Sequence, residues 1–146
     1  MRLAPSIARR CFVALATALF AAAAASAQTP PANRPWVSEH RSGPDGLEGW
    51  TLSWPQPDRP NERYPGALVI ARHGRVIRQI SGNAFVWKWI FWADGKQVAY
   101  ESGPLHFGLS CMLTDIETGR VLANVDCFHG IPEDAPDWLK TLEAKH

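Results

Sequence analysis

Two histidines and two cysteines in the C-terminal third of the chain could together hold a metal ion. His106, Cys111, Cys127 and His129 supply imidazole and thiolate groups, the ligand types of structural zinc sites. His106 and Cys111 differ by an odd number of positions, so an unbroken β-strand directs them to opposite faces. The sequence also lacks the short Cys-x-x-Cys spacing of many zinc sites. We therefore predict no bound metal and no other cofactor.

The same two cysteines could instead form a disulfide. Alternation along two expected strands points the sulfur atoms of Cys111 and Cys127 into one apolar layer. A three-residue turn at 117–119 places Cys111 opposite Val125 and makes Cys127 a diagonal neighbour, which is somewhat far for a bridge unless a bulge intervenes. In an oxidising compartment we favour a structural disulfide over two buried thiols.

Catalytic machinery is not visible in the sequence. It has no Gly-x-Ser-x-Gly elbow, no His-Glu-x-x-His and no glycine-rich phosphate loop. Glu101 could serve as a general acid near His106, but a cross-strand ion pair with Lys88 explains it without a function. We therefore expect a non-catalytic binding or accessory protein whose partner is an unidentified protein or glycan. The side chains considered for ligand contact are Trp92, Lys88, His106 and His129.

Two alternatives remain open at this stage. The first is a small zinc-binding or hydrolytic protein that uses His106, His129, Glu101 and the cysteines. The second is a carbohydrate-binding module that uses exposed tryptophans, with Trp92 as the best candidate because it lies beside a turn. The chain contains 7 tryptophans, which otherwise serve as core and edge residues of a small sheet protein.

Composition bounds the class of protein. The chain has 146 residues, of which 46% are hydrophobic and 20% charged, too apolar for a disordered tail. Its formal net charge is +1, and removing Arg2, Arg9 and Arg10 of the N-terminal segment leaves −2. A near-neutral domain lacks the basic surface of a nucleic-acid-binding protein. Once the N-terminal segment is removed, the length suits one domain.

The N-terminal segment has the pattern of an export signal. Arg9 and Arg10 precede an apolar run at 11–25, and Ala25-Ser26-Ala27 forms a signal peptidase site that leaves Gln28 at the N-terminus. The run is too short to span a membrane, so we expect no membrane insertion after cleavage. The two arginines also fit the twin-arginine export route, although the ordinary route is favoured. These features predict a bacterial periplasmic or secreted protein.

The remaining chain divides into an irregular N-terminal arm at 28–46 and a single β-rich domain at 47–146. Alternating apolar residues and glycine turns predict an all-β antiparallel meander of about seven strands, arranged as a two-layer sandwich or an open barrel. A first strand at 49–54 ends at Pro55 and leads into a proline-rich loop that runs to Pro65. Three hairpins follow, and a short helix begins near Pro136. Its expected apolar side carries Trp138, Leu139 and Leu142.

The turn of the second hairpin, at Asp94-Gly95, sets the register of its two strands. One face then pairs Trp89 with Tyr100, and the other places Lys88 opposite Glu101. We expect the first face to be buried and the second to be wetter.

The stretch from Phe85 to Leu122 resembles one blade of a TolB-type β-propeller. An aromatic strand is followed by Asp94-Gly95-Lys96-Gln97-Val98-Ala99-Tyr100 and then by Asp115-Ile116-Glu117-Thr118-Gly119-Arg120. The resemblance implies a blade-like sheet, but a closed propeller needs about four blades and this chain has room for two. The overall pattern is also similar to that of small secreted bacterial proteins of unknown function.

Overall fold

The computed structural model describes residues 34–104 and 106–145. The predicted signal peptide, its cleavage site and the first residues of the arm lie outside the described residues and stay predictions. Within these ranges the chain forms nine strands and one α-helix: β1 (Trp36–Val37), β2 (Arg41–Ser42), β3 (Leu47–Gln56), β4 (Arg59–Arg72), β5 (Arg75–Ser81), β6 (Val86–Trp92), β7 (Gln97–Ser102), β8 (Ser110–Asp115), β9 (Val121–Asp126) and α1 (Asp137–Glu143).

The strands form two antiparallel sheets. The N-terminal sheet has the order β1-β3-β4-β5, with β2 also paired to β3, and the C-terminal sheet has the order β6-β7-β8-β9. The prediction of an all-β antiparallel meander with a short C-terminal helix is confirmed. The two additional strands come from the predicted irregular arm, where Trp36–Val37 and Arg41–Ser42 pair with β3 over two residues each.

Two hydrophobic cores hold these elements together. The first lies between the two sheets and includes Leu68 and Ile70 from β4 with Trp89 and Val98 from the C-terminal sheet. The two sheets therefore pack as a sandwich, since their apolar faces share one core. The second core lies on the other face of the C-terminal sheet, which α1 covers. It contains Ile90, Ala99, Cys111, Leu113, Cys127, Ala135, Trp138, Leu139 and Leu142.

The register of the second hairpin agrees with the sequence prediction. Trp89 pairs with Tyr100, and three further pairs continue that register to the turn. The expectation of a wetter second face is wrong, however, because α1 packs on it and buries Glu101 to an exposed fraction of 3%. The apolar side of the predicted helix is buried against this face of the sheet.

The predicted proline-rich loop is largely β-strand. β4 begins at Arg59 and runs through Pro60 and Pro65. Its strand pairing with β5 begins at Ala67, and up to Pro65 its strand partner is β3. A proline without an N–H is tolerated where one side of a strand has no partner. The β3–β4 hairpin therefore extends beyond the part of the sheet that β5 covers.

Two arginines fasten the N-terminal sheet to the turn between β8 and β9. The Arg78 side chain donates from Nε to the carbonyl oxygen of Ile116 at 2.9 Å, and a second nitrogen donates to the carbonyl oxygen of Glu117. Arg72 forms an ion pair with the Glu117 carboxylate. One end of the sandwich is thus closed by hydrogen bonds across the two sheets.

Gly95 and Gly74 provide a matched test of the hairpin turns. Both have a φ of +77°, which disfavours any residue with a Cβ, but only at Gly95 does an added Cβ meet a neighbour, the Leu47 Cδ1 atom at 2.6 Å. We expect Gly74→Ala to lower the free energy of unfolding by about 1 kcal/mol. Gly95→Ala should cost about 2–4 kcal/mol because Leu47 is buried and cannot yield. Urea denaturation of both variants measures the difference, and equal losses would contradict the close packing at Gly95.

Candidate functional site

A cavity of about 300 Å³ lies where three segments of the chain meet. The segments are the β3–β4 hairpin, the start of β6 and the loop between β7 and β8. We call this cavity the aromatic pocket, because four of its lining residues carry phenyl, phenol or indole rings. Its lining includes Asp58, Tyr64, Phe85, Trp87, His106 and Phe107.

Three of the rings pack against one another at steep angles. The ring centroids of Tyr64 and Phe85 are 5.1 Å apart, those of Tyr64 and Trp87 are 5.7 Å apart, and those of Phe85 and Trp87 are 5.2 Å apart. The Trp87 indole N–H donates to the carbonyl oxygen of Gly103 at 2.7 Å, which fixes the orientation of its ring. Such tilted contacts between aromatic rings are attractive and hold the wall of the pocket in place.

Charged side chains lie at the pocket around Tyr64. The Tyr64 hydroxyl donates to Glu62 Oε2 at 2.5 Å, and Arg59 donates to the same oxygen at 3.3 Å. Both hydrogen bonds lower the pKa of the Glu62 carboxyl, and the one from Tyr64 has the larger effect. The hydrogen bond to Glu62 raises the pKa of the Tyr64 phenol. Asp58 also lines the pocket, and no ion pair to Asp58 occurs among the described residues.

His106 and Phe107 lie in the loop that closes the pocket. Alternation of apolar residues predicts that the strand carrying Cys111 begins at Phe107, but β8 begins only at Ser110 and Phe107 is 89% exposed. The backbone N–H of Phe107 donates to the carbonyl oxygen of Pro104, and Gly108 has a φ of +140°. This turn geometry ends the extended conformation before Phe107 can join the strand. His106, a predicted ligand-contacting residue, lines the aromatic pocket.

The other three predicted ligand-contacting residues lie elsewhere. Trp92 is half-buried beside the second core and lines a separate cavity of about 410 Å³ next to β2 and the end of α1. His129 is exposed and packs its ring against Phe128, with centroids 4.9 Å apart. Lys88 lies under α1 in an ion pair. The structure therefore does not gather Trp92, Lys88, His106 and His129 into one site.

Lys88 lies between two carboxylates at the interface of the C-terminal sheet and α1. Its Nζ is 3.2 Å from Glu101 Oε1 and 3.8 Å from Glu143 Oε2. The predicted cross-strand pair of Lys88 and Glu101 is thus present. Burial raises the pKa of the Glu101 carboxyl, and Lys88 partly offsets this effect. Glu101 faces α1, whereas His106 lies in the pocket loop, so the two do not form one acid–base pair.

Cys111 and Cys127 lie at disulfide distance, with sulfur atoms 2.20 Å and Cα atoms 5.9 Å apart. Cys111 pairs with Val125 as predicted, and the sulfurs meet across the diagonal. Among the described residues, one group of three potential metal ligands occurs, and it joins the two cysteines to Glu143. It contains neither His106 nor His129, so the four residues considered for zinc are not clustered.

Sequence reasoning missed the aromatic wall of the pocket. Simple alternation along β6 places Trp87 on the same face as Trp89. The register shift between Val86 and Trp89 interrupts this alternation, so the rule does not hold for Trp87. Tyr64 lay in the stretch assigned to a loop. The one local signal was the density of aromatic residues at 85–92, which indicates burial more often than binding.

Within the described residues, no helix has the length and apolar character needed to cross a membrane. The resemblance to a propeller blade stays a prediction. Compared with known proteins, the chain matches no protein-family model, no curated protein and no solved structure.

Proposed function

We propose that this protein is an exported binding protein without catalytic action and that it holds its ligand in the aromatic pocket. The observation that supports the proposal is a cavity of about 300 Å³ whose walls include Tyr64, Phe85, Trp87 and Phe107. Small-molecule sites are commonly concave and mostly apolar, with a few polar groups that orient the ligand. Asp58 and His106 are such polar groups here.

The exposure of Phe107 also favours binding. A phenylalanine that is 89% exposed gains little from burial when the protein folds. Single exposed apolar residues are ordinary, but this one borders a cavity whose other walls are aromatic. A ligand in the pocket covers this ring and removes its apolar surface from water.

We place the protein in the bacterial periplasm or outside the cell. The export signal in the sequence and a cysteine pair at disulfide distance both fit an oxidising compartment. Export predicts that the mature chain begins at Gln28. The intact mass of the protein recovered from the periplasm or medium checks this, and a mass that retains the N-terminal segment contradicts it.

Binding at the pocket is tested with Phe107→Ala and a matched variant, Val76→Ala, at another exposed apolar residue in β5. Three probes are titrated by protein-observed NMR: choline, methyl glucoside and acetyl-prolinamide. We expect at least one probe to bind, and Phe107→Ala to weaken that binding about three- to tenfold. Val76→Ala should leave the affinity unchanged, and neither variant should alter the melting temperature.

Two results would overturn the proposal. In the first, none of the three probes shifts resonances of residues that line the pocket. In the second, a probe binds but Phe107→Ala and Val76→Ala have the same affinity as the wild type. The melting temperatures guard against a loss of binding caused by unfolding.

A further inference from the structure

The three packed rings of the aromatic pocket form corners rather than a flat platform. The planes of Tyr64 and Phe85 meet at 61°, those of Tyr64 and Trp87 at 69°, and those of Phe85 and Trp87 at 54°. A flat ligand stacks on one open ring face, whereas a compact group contacts several inclined rings at once from the side that faces the pocket. The shape of this wall favours a small, rounded group.

The charges around these rings favour a positive ligand. Asp58 and Arg59 both line the pocket. Arg59 is paired with Glu62, which is not a lining residue, whereas Asp58 forms no ion pair among the described residues. Two carboxylates and one guanidinium leave a local excess of one negative charge. The remaining titratable side chain at the pocket is His106. The hydrogen bond from the Tyr64 hydroxyl to the Glu62 carboxylate also increases the electron density of the phenol ring.

Building on the proposed function, we infer that the aromatic pocket binds a compact alkylammonium group, such as a quaternary ammonium. Such a cation is attracted to aromatic rings within about 6 Å of their centroids. Because the three rings touch one another, the cation lies against the side of the cluster that faces the pocket and not between two rings. Centroid separations of 5.1–5.7 Å allow all three rings to approach one such group from that side. Asp58 supplies the neutralising charge.

The test compares choline with 3,3-dimethylbutan-1-ol, which has the same shape without the charge. Both titrations are made in the same buffer and at the same pH. We expect choline to bind at least about tenfold more tightly than the alcohol. Equal affinities, or tighter binding of the alcohol, would overturn the inference while the proposed function stands.

Two variants assign the effect to the pocket. Asp58→Asn should weaken choline binding about three- to tenfold without changing the affinity for the neutral alcohol. Asp134→Asn, at an exposed aspartate before α1, serves as the control and should change neither affinity. If Asp58→Asn and Asp134→Asn give the same choline affinity, the carboxylate of Asp58 does not contribute and the inference fails.

An alkylammonium group can belong to a free solute or to a phospholipid headgroup. Cosedimentation with phosphatidylcholine vesicles, with phosphatidylglycerol vesicles as the control, distinguishes the two sources. Choline binding without sedimentation assigns a solute, and sedimentation that choline reverses assigns a headgroup. Binding of methyl glucoside or acetyl-prolinamide but not choline overturns the alkylammonium assignment alone. Failure of every probe overturns the proposed function with it.

Discussion

Cys111→Ser lowers the free energy of unfolding by about 3 kcal/mol if the two sulfur atoms are bonded, because the bond closes a loop in the unfolded chain. Cys111 and Cys127 are 16 positions apart and both lie in the core under α1. The bond joins β8 to the segment that follows β9 and leads to α1. Its loss removes the covalent link between the C-terminal sheet and that segment. Urea unfolding of the wild type and variant measures the change.

A double variant separates the covalent bond from the polarity of the new side chain. Cys111→Ala with Cys127→Ala removes the bond without burying a hydroxyl group, and it should lose a similar amount of stability. Reductant should lower the stability of the wild type but leave the double variant unchanged. Unaltered unfolding of Cys111→Ser, or a wild type that is insensitive to reductant under denaturing conditions, would refute the bridge.

Lys88→Met should be about as damaging at neutral pH, with a loss of about 3 kcal/mol. The substitution keeps the approximate length of the side chain but leaves the carboxylate of Glu101, whose side chain is 4% exposed, buried without its cation. It also places Glu101 and Glu143 near each other with no positive charge between them. Urea unfolding at pH 7 gives the size of the effect.

The pH dependence of this loss follows from the raised pKa of Glu101. Since the folded protein holds this proton more tightly than the unfolded chain, stability from this group falls as pH rises from the unfolded to the folded pKa. Removing Lys88 takes away the group that lowers the pKa, so the fall becomes larger. The deficit of Lys88→Met should therefore shrink on acidification, when Glu101 is protonated.

Glu101→Gln is the matched control because it fixes the neutral form of the side chain. Its stability at pH 7 should be close to that of the wild type, since the folded environment already disfavours the charge. Combining it with Lys88→Met should recover much of the loss. A Lys88→Met deficit that does not change with pH, or that Glu101→Gln fails to relieve, would show that the carboxylate is not its cause.

The extent of sequence-based prediction can be judged from the second and third hairpins. Turn chemistry fixed the pairing of Trp89 with Tyr100, and side-chain alternation placed Cys111 opposite Val125. Both are local effects, set within about 20 residues of chain by the turn and the two-residue period of a strand. The sulfur atoms meet across the diagonal, although the register predicted a pair somewhat too far apart for a bridge.

The errors concern contacts between segments that are distant in sequence. The face of the C-terminal sheet that was expected to be wetter is covered by α1. The aromatic pocket needs Tyr64 of β4 beside Trp87 of β6. Neither the docking of a helix nor a register shift is encoded in a local pattern. The apolar side of α1 was a partial signal, because three buried residues on a short helix require a surface to cover.

The order of strands in the two sheets has a consequence for how the protein folds. Every pair in the C-terminal sheet joins strands that are consecutive in the chain, and β3, β4 and β5 are likewise consecutive. Each sheet can thus assemble by zipping successive hairpins, with short loops to close and a small entropic barrier at each step. The contacts between the two sheets join residues that are distant in the chain, and the short segment at 82–85 keeps the two sheets at a high effective concentration for that contact.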